Sequence, residues 1–172
     1  MGKTACAFLI CAAVVAGCGS GGVPPGHPVP TLSAVPCSYT ADGVIGVQTT
    51  PPAGFRAVLK NIRVMTTSLE QAAPMPPGKW PYFSKTAMLI WAGTGPVSVS
   101  VPASWRGRAA ISWGSFGQVE TLTLGACASP GGVWDAFAGG LYLRTTKACV
   151  PVQFRLGGRT VTVTYGVGRE CR

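Results

Sequence analysis

The clearest pattern in the chain lies near its C-terminal end, where apolar and polar residues alternate on both sides of Gly157-Gly158 from Cys149 to Tyr165. Two such runs around a glycine pair predict a β-hairpin closed by a two-residue turn with positive φ at both positions. The turn fixes the register. Leu156 faces Arg159, Phe154 faces Val161, Val152 faces Val163 and Val150 faces Tyr165, which gathers one apolar row on one side. Gln153 with Thr162, and Pro151 with Thr164, fall on the other. Residues 156 and 159 are then a hydrogen-bonded pair, so Pro151 occupies a non-hydrogen-bonded site where its missing N–H would point away from the partner. The strand that begins at Cys149 is therefore expected to be an edge strand, or to be bulged near Pro151.

The same period-two signature recurs in Val97 to Val101, in Arg108 to Trp113 with Ala109, Ile111 and Trp113 on one face, and in Val119 to Leu124. Phe55 to Met65, Thr86 to Trp91 and Leu141 to Thr145 bring the total to about eight strands, most of them separated by Gly or Pro. No stretch carries a helical period beyond a possible turn at Ser68 to Ala73. Short, regularly punctuated strands in one domain predict an all-β fold, a single antiparallel β-sandwich of immunoglobulin-like type, with a small β-barrel as the alternative. The stretch from Ala72 to Phe83 holds four prolines, which fix φ and remove donors, so it is expected to be a long irregular loop rich in aromatic residues.

The N-terminus has a different character. Met1-Gly2-Lys3-Thr4 is followed by small and apolar residues as far as Gly17, and the run closes with Val15-Ala16-Gly17-Cys18. A positive start, a short apolar stretch and small residues at its end form a secretion signal, and the stretch is too short to span about 30 Å of hydrocarbon as a helix. The last four residues look like the lipobox of bacterial lipoproteins, which assigns residues 1–17 to a signal and makes Cys18 the lipidated first residue. Residues 18–31 are Gly/Ser-rich and then Pro-rich, a tether without regular structure. Residues 32–172 form the β domain. The expected location is the extracytoplasmic face of the cell membrane, where the protein is held by its lipid anchor.

With Cys6 and Cys11 in the signal and Cys18 taken by lipid, four cysteines remain: Cys37, Cys127, Cys149 and Cys171. An even number in an oxidising compartment implies two disulfides. The expected pairing is Cys127 with Cys149, which closes a local excursion, and Cys37 with Cys171, which ties the two ends of the domain. The main competitor pairs Cys37 with Cys127 and Cys149 with Cys171.

Charge is sparse but one-sided, with 14 Lys and Arg against 5 Asp and Glu. Loss of Lys3 with the signal leaves 13 basic side chains against 5 acidic ones, a formal +8. Such an excess favours anionic partners, an envelope protein or an anionic cell-wall polymer, and the scattering of the basic residues gives no reason for a specific nucleic-acid partner. The single histidine, His27, lies in the tether, so no catalytic triad or His-based metal site can be built in the domain. None of the spacings among Asp42, Glu70, Glu120, Asp135 and Glu170 suggests a converging carboxylate pair. No cofactor, metal site or enzyme activity is therefore expected. Of the five tryptophans, Trp91 and Trp113 end apolar strands and are expected in the core, with Trp105 and Trp134 covering the ends. Trp80, with Tyr82 and Phe83, is the candidate surface for stacking on sugar rings.

From Lys60-Asn61-Ile62-Arg63, through Val97 to Trp113, to Trp134, Ala138-Gly139-Gly140, Cys149-Val150-Pro151 and Gly166-Val167-Gly168-Arg169-Glu170-Cys171, the chain resembles a group of actinobacterial secreted proteins and lipoproteins without an assigned activity. The resemblance implies the cell envelope and a sandwich, and it transfers no catalytic or binding residue. The functional expectation is a non-catalytic extracytoplasmic interaction module. A carbohydrate-binding module for cell-wall glycan is the alternative, followed by a hydrolase that relies on carboxylates alone.

Overall fold

A computed structural model gives the structure of the chain and describes residues 34–40, 49–66, 71–114, 117–125, 127 and 133–171. The chain divides between Thr31 and Leu32 into two units, and every described residue belongs to the second. The signal, the tether, Cys18 and His27 lie outside the described residues, as do Asp42 and residues 68–70 of the possible turn.

Eleven strands are present among the described residues: β1 (Ala34–Val35), β2 (Phe55–Leu59), β3 (Ile62–Met65), β4 (Ala73–Pro74), β5 (Tyr82–Trp91), β6 (Val97–Ser100), β7 (Ala109–Trp113), β8 (Thr121–Leu124), β9 (Trp134–Leu143), β10 (Ala148–Leu156) and β11 (Arg159–Val167). They form two sheets, one in the order β1-β8-β6-β10-β11 and the other β2-β3-β5-β9-β7, with β4 added to β5. Neither sheet closes into a barrel, and the fold is the β-sandwich expected. Two-layer architecture is what it shares with an immunoglobulin domain, since the strand order is different. All pairs are antiparallel except β1 with β8, a two-residue parallel match.

The hairpin has the register that its alternation predicts. Leu156 pairs with Arg159, Phe154 with Val161, Val152 with Val163 and Val150 with Tyr165 across a turn in which Gly157 and Gly158 have φ of 54° and 81°. Val150, Val152, Phe154, Val163 and Tyr165 are buried against Val97, Val99, Leu122 and Leu124 of the same sheet and Ile62, Met88, Ile90, Ile111, Trp113 and Phe137 of the other. Pro151 required an edge or a bulge, and the solution is a partial edge. β10 is an inner strand, yet it pairs with β6 only from Gln153 to Arg155, so the side toward which Pro151 offers no donor is open.

Three segments depart from the expected pattern. Ala73-Pro74 pairs with Phe83 and Tyr82, and the Met75 N–H donates to the Pro81 carbonyl at 2.8 Å, so the proline-rich stretch is a short hairpin whose loop runs from Met75 to Pro81. Pro74 is tolerated because β4 is a two-residue edge. Strand β9 is ten residues long where only Leu141 onward is legible, because Ala136, Ala138, Gly139 and Gly140 dilute the alternation. Its glycines answer to close approach: a Cβ on Gly139 would collide with the Ser112 carbonyl and Trp113 Cα, and one on Gly140 with the Ser84 carbonyl and the Phe83 ring. Finally, Trp91 is not in the main core. It sits half-buried on the outer face of its sheet, edge-on to Trp134 with centroids 5.1 Å apart, beside Leu89 and Ala136.

The disulfides join Cys37 to Cys127 and Cys149 to Cys171, with Cα separations of 5.4 and 5.7 Å. The expected pairing of Cys127 with Cys149 and Cys37 with Cys171 is thus corrected. Parallel pairing of β1 with β8 carries Cys37, just past Val35, alongside the chain that leaves Leu124 for Cys127. At the other edge Cys149 lies opposite Gly166, and the turn at Gly168, with φ of 57°, folds Cys171 back onto that pair.

Candidate functional site

The residues that create the most distinctive surface begin with a short 3-10 turn, Ala103–Trp105, which follows Pro102. The Arg108 N–H donates to the Trp105 carbonyl at 3.0 Å, and Gly107 has φ of 69°. Arg106 at φ −56° and ψ 138° completes the geometry of a type II turn, in which only glycine is comfortable at the third position. The turn returns Arg108 over the indole of Trp105, with the guanidinium carbon 4.3 Å from the ring centroid. Trp105 packs against the core from the outside. Glu120 clamps the turn, because its carboxylate accepts the Gly107 N–H at 2.7 Å.

β7 pairs with β9 with Ala109 opposite Leu143, so Arg108 and Arg144 occupy the next opposed positions beyond the ladder. Arg144 opens the connection to β10. Thr145 knots that connection by accepting the Lys147 N–H at 3.0 Å and donating to the Lys147 carbonyl at 2.7 Å. Arg169 arrives from the far side through Gly168, where a Cβ would press on the Thr146 carbonyl and Lys147 Cγ. The result is a cleft of about 510 Å³ at this end of the sandwich, with Trp105, Arg108, Leu143, Arg144, Lys147 and Arg169 in its wall. Cys149 of the disulfide forms the boundary with a second depression, which Arg169 and Glu170 also line.

Four cations therefore converge from three elements, and no acidic side chain among the described residues lines this cleft. Like charges at opposed positions on neighbouring strands repel one another. Two indoles offset part of this cost. Trp105 carries Arg108, while Trp80 lies under Arg144 at 5.6 Å and Lys79 at 5.0 Å.

That arrangement settles the geometry of the aromatic loop. Trp80 is only 4 % exposed. Tyr82 and Phe83 are successive residues of β5 and point to opposite faces: Tyr82 packs on the core, and Phe83 lies against Tyr142 with centroids 4.6 Å apart. The three rings expected as a stacking surface are not brought together as one. Of the described carboxylates, Glu120 is held in the turn, Asp135 is buried opposite Ile90 on β9, and Glu170 lies beside the Cys149 disulfide. Sequence reasoning missed Arg108, Arg144, Lys147 and Arg169 as a set. The one local signal is Trp105-Arg106-Gly107-Arg108, a tryptophan two residues before a turn glycine and three before a cation. No family model and no curated protein sequence matches the chain.

Proposed function

We propose that the chain is an envelope lipoprotein, lipidated at Cys18 and held at the extracytoplasmic face of the cell membrane, whose β-sandwich is a non-catalytic interaction module for an anionic component of the envelope. The observation that carries this reading is the cleft, where four cations meet and no acidic side chain among the described residues lines the wall. Binding energy is more readily available here than elsewhere, because repulsion already present in the free protein is relieved when an anion enters. The formal charge of +8 after loss of the signal draws such a component in from a distance, and the lipobox and tether would set the domain near the polymers of the surface. The resemblance to actinobacterial secreted proteins agrees with that location.

Two measurements test the reading. Full-length protein expressed in an actinobacterial host is expected in the membrane fraction, and Cys18→Ser is expected in the medium or as unprocessed precursor; identical fractionation of the two removes the anchor. The mature lipidated protein is also expected to co-sediment with isolated cell-wall material in low salt, and to lose this when Arg108 and Arg144 are both changed to Glu. Retention by the double variant removes the cleft as the binding surface.

A further inference from the structure

Building on the cleft as the binding surface of the module, we infer that its ligand is a phosphate ester, gripped by Arg108 and Arg144 as a matched pair of guanidinium forks. Each guanidinium is held beside an indole, within cation–π range. A guanidinium that lies over an indole uses its flat face for the ring and leaves its in-plane N–H groups at the edge, the geometry that offers two parallel hydrogen bonds to an oxyanion. Arg108 lies 4.3 Å from the Trp105 ring centroid and Arg144 lies 5.6 Å from that of Trp80, distances at which each indole restrains the cation that it faces. Their opposed positions beyond the Ala109 and Leu143 pair bring both forks to the same rim.

The shape of the donor set points to phosphorus rather than carbon at the centre of the anion. Donors come from the turn before β7, from the β9–β10 connection through Arg144 and Lys147, and from Arg169 after β11. A carboxylate is planar and presents two oxygens in one plane, which one fork saturates. A phosphate ester is tetrahedral and presents two or three charged oxygens in different directions, so separate elements can each take one. Where the ester is a monoester, its charge of nearly two also answers four cations better than a single carboxylate would. At about 510 Å³ the cleft has room for the phosphate and the group that carries it, within the usual range of small-molecule sites. Trp80 and Trp105 act here as positioning residues for the two guanidiniums, Trp105 from within the cleft wall and Trp80 from outside it.

The phosphate ester has two possible sources, a headgroup of the membrane that bears the anchor or a phosphorylated polymer of the wall, and the test separates them. The mature lipidated protein in detergent micelles is titrated with glycerol 3-phosphate and with glucose 1-phosphate at constant ionic strength. Binding is read from tryptophan fluorescence and calorimetry, with oligogalacturonate as the carboxylate control. Phosphatidylglycerol vesicles form a separate arm. Saturable binding of the soluble esters, with at least a tenfold loss in Arg108→Lys, supports the proposal and assigns a wall phosphate. Lysine keeps the charge and loses the fork, and Arg155→Lys on the outer face of β10 is expected to bind as the parent does. Binding to vesicles alone, with the same sensitivity to Arg108→Lys, supports the proposal and assigns a headgroup. Equal binding by Arg108→Lys and parent overturns it, as does oligogalacturonate binding as tightly as the phosphates, although the latter leaves the anion-binding module intact. If no anion binds in any arm, both the phosphate assignment and the module fail.

Discussion

Tyr165 shows how a single side chain can be both well packed and poorly served. It is 1 % exposed in the middle of the core, and its hydroxyl finds no hydrogen-bond partner among the described residues. A buried hydroxyl without a partner has lost water and gained nothing in exchange, so Tyr165→Phe is expected to be neutral or to stabilise the protein by up to about 1 kcal/mol in urea unfolding at pH 7. Burial also pushes the phenol well above its usual value, and the Arg56 charge offsets this only in part. The sign follows from proton counting. Above about pH 10 the unfolded chain releases the Tyr165 proton while the folded one keeps it, so the folded state loses about 1.4 kcal/mol of stability per pH unit from this group. The gap between Tyr165→Phe and the parent is therefore expected to widen from pH 10 to pH 11. A gap that stays constant would mean that the hydroxyl reaches solvent. Gly107 is the other residue on which much depends. Gly107→Ala forces a side chain into positive φ and is expected to cost about 1 kcal/mol, and it should weaken anion binding in the same protein because Arg108 leaves the Trp105 ring.

At the scale of elements, what the sequence made legible was what local chemistry decides. The β10–β11 hairpin was readable because period-two alternation and a Gly-Gly turn agree on one register, and β6 and β7 were readable for the first of these reasons. Gly157→Asn is expected to change hairpin stability by only a few tenths of a kcal/mol, since asparagine suits the first position of a type I′ turn. Gly158→Val should cost about 1–2 kcal/mol, read as a lower thermal midpoint. Equal effects would contradict the turn type. Elements set by distant partners were not readable. β9 hides its strand behind small residues whose reason is the approach of Ser112, Trp113 and Phe83, and β1 is two residues that acquire meaning only beside Thr123 and Leu124. The cleft was illegible for a related cause. Arg108, Arg144, Lys147 and Arg169 read as scattered surface charge, and only the pairing of β7 with β9 and the return of the chain after β11 bring them together. Trp80 misled in the opposite direction, because a loop with no visible burial partner finds one in the side chains of Lys79 and Arg144.

At the scale of the whole domain the two disulfides guard opposite edges of the same five-stranded sheet. Cys37–Cys127 closes the β1–β8 edge and Cys149–Cys171 the β10–β11 edge. Because β8 and β10 run in the same direction, a bridge past the end of β8 and one at the start of β10 also lie at opposite ends of the sandwich, and only the second borders the cleft. Their roles can therefore be separated. The bridges span 90 and 22 residues of sequence, for which loop closure in the unfolded chain gives about 4.6 and 3.4 kcal/mol. Changing Cys37 and Cys127 together to Ser is thus expected to lower stability by about 1 kcal/mol more than the same change at Cys149 and Cys171, as read from urea unfolding free energies with each variant's own slope. Anion binding should rank the other way. Loss of Cys149–Cys171 frees the segment that carries Arg169 and is expected to weaken binding several-fold, whereas loss of Cys37–Cys127 leaves the cleft walls in place and should leave affinity unchanged wherever the protein is folded. If the Cys37 and Cys127 variant lost affinity as well, the cleft would depend on the tension of the whole sheet rather than on its own corner.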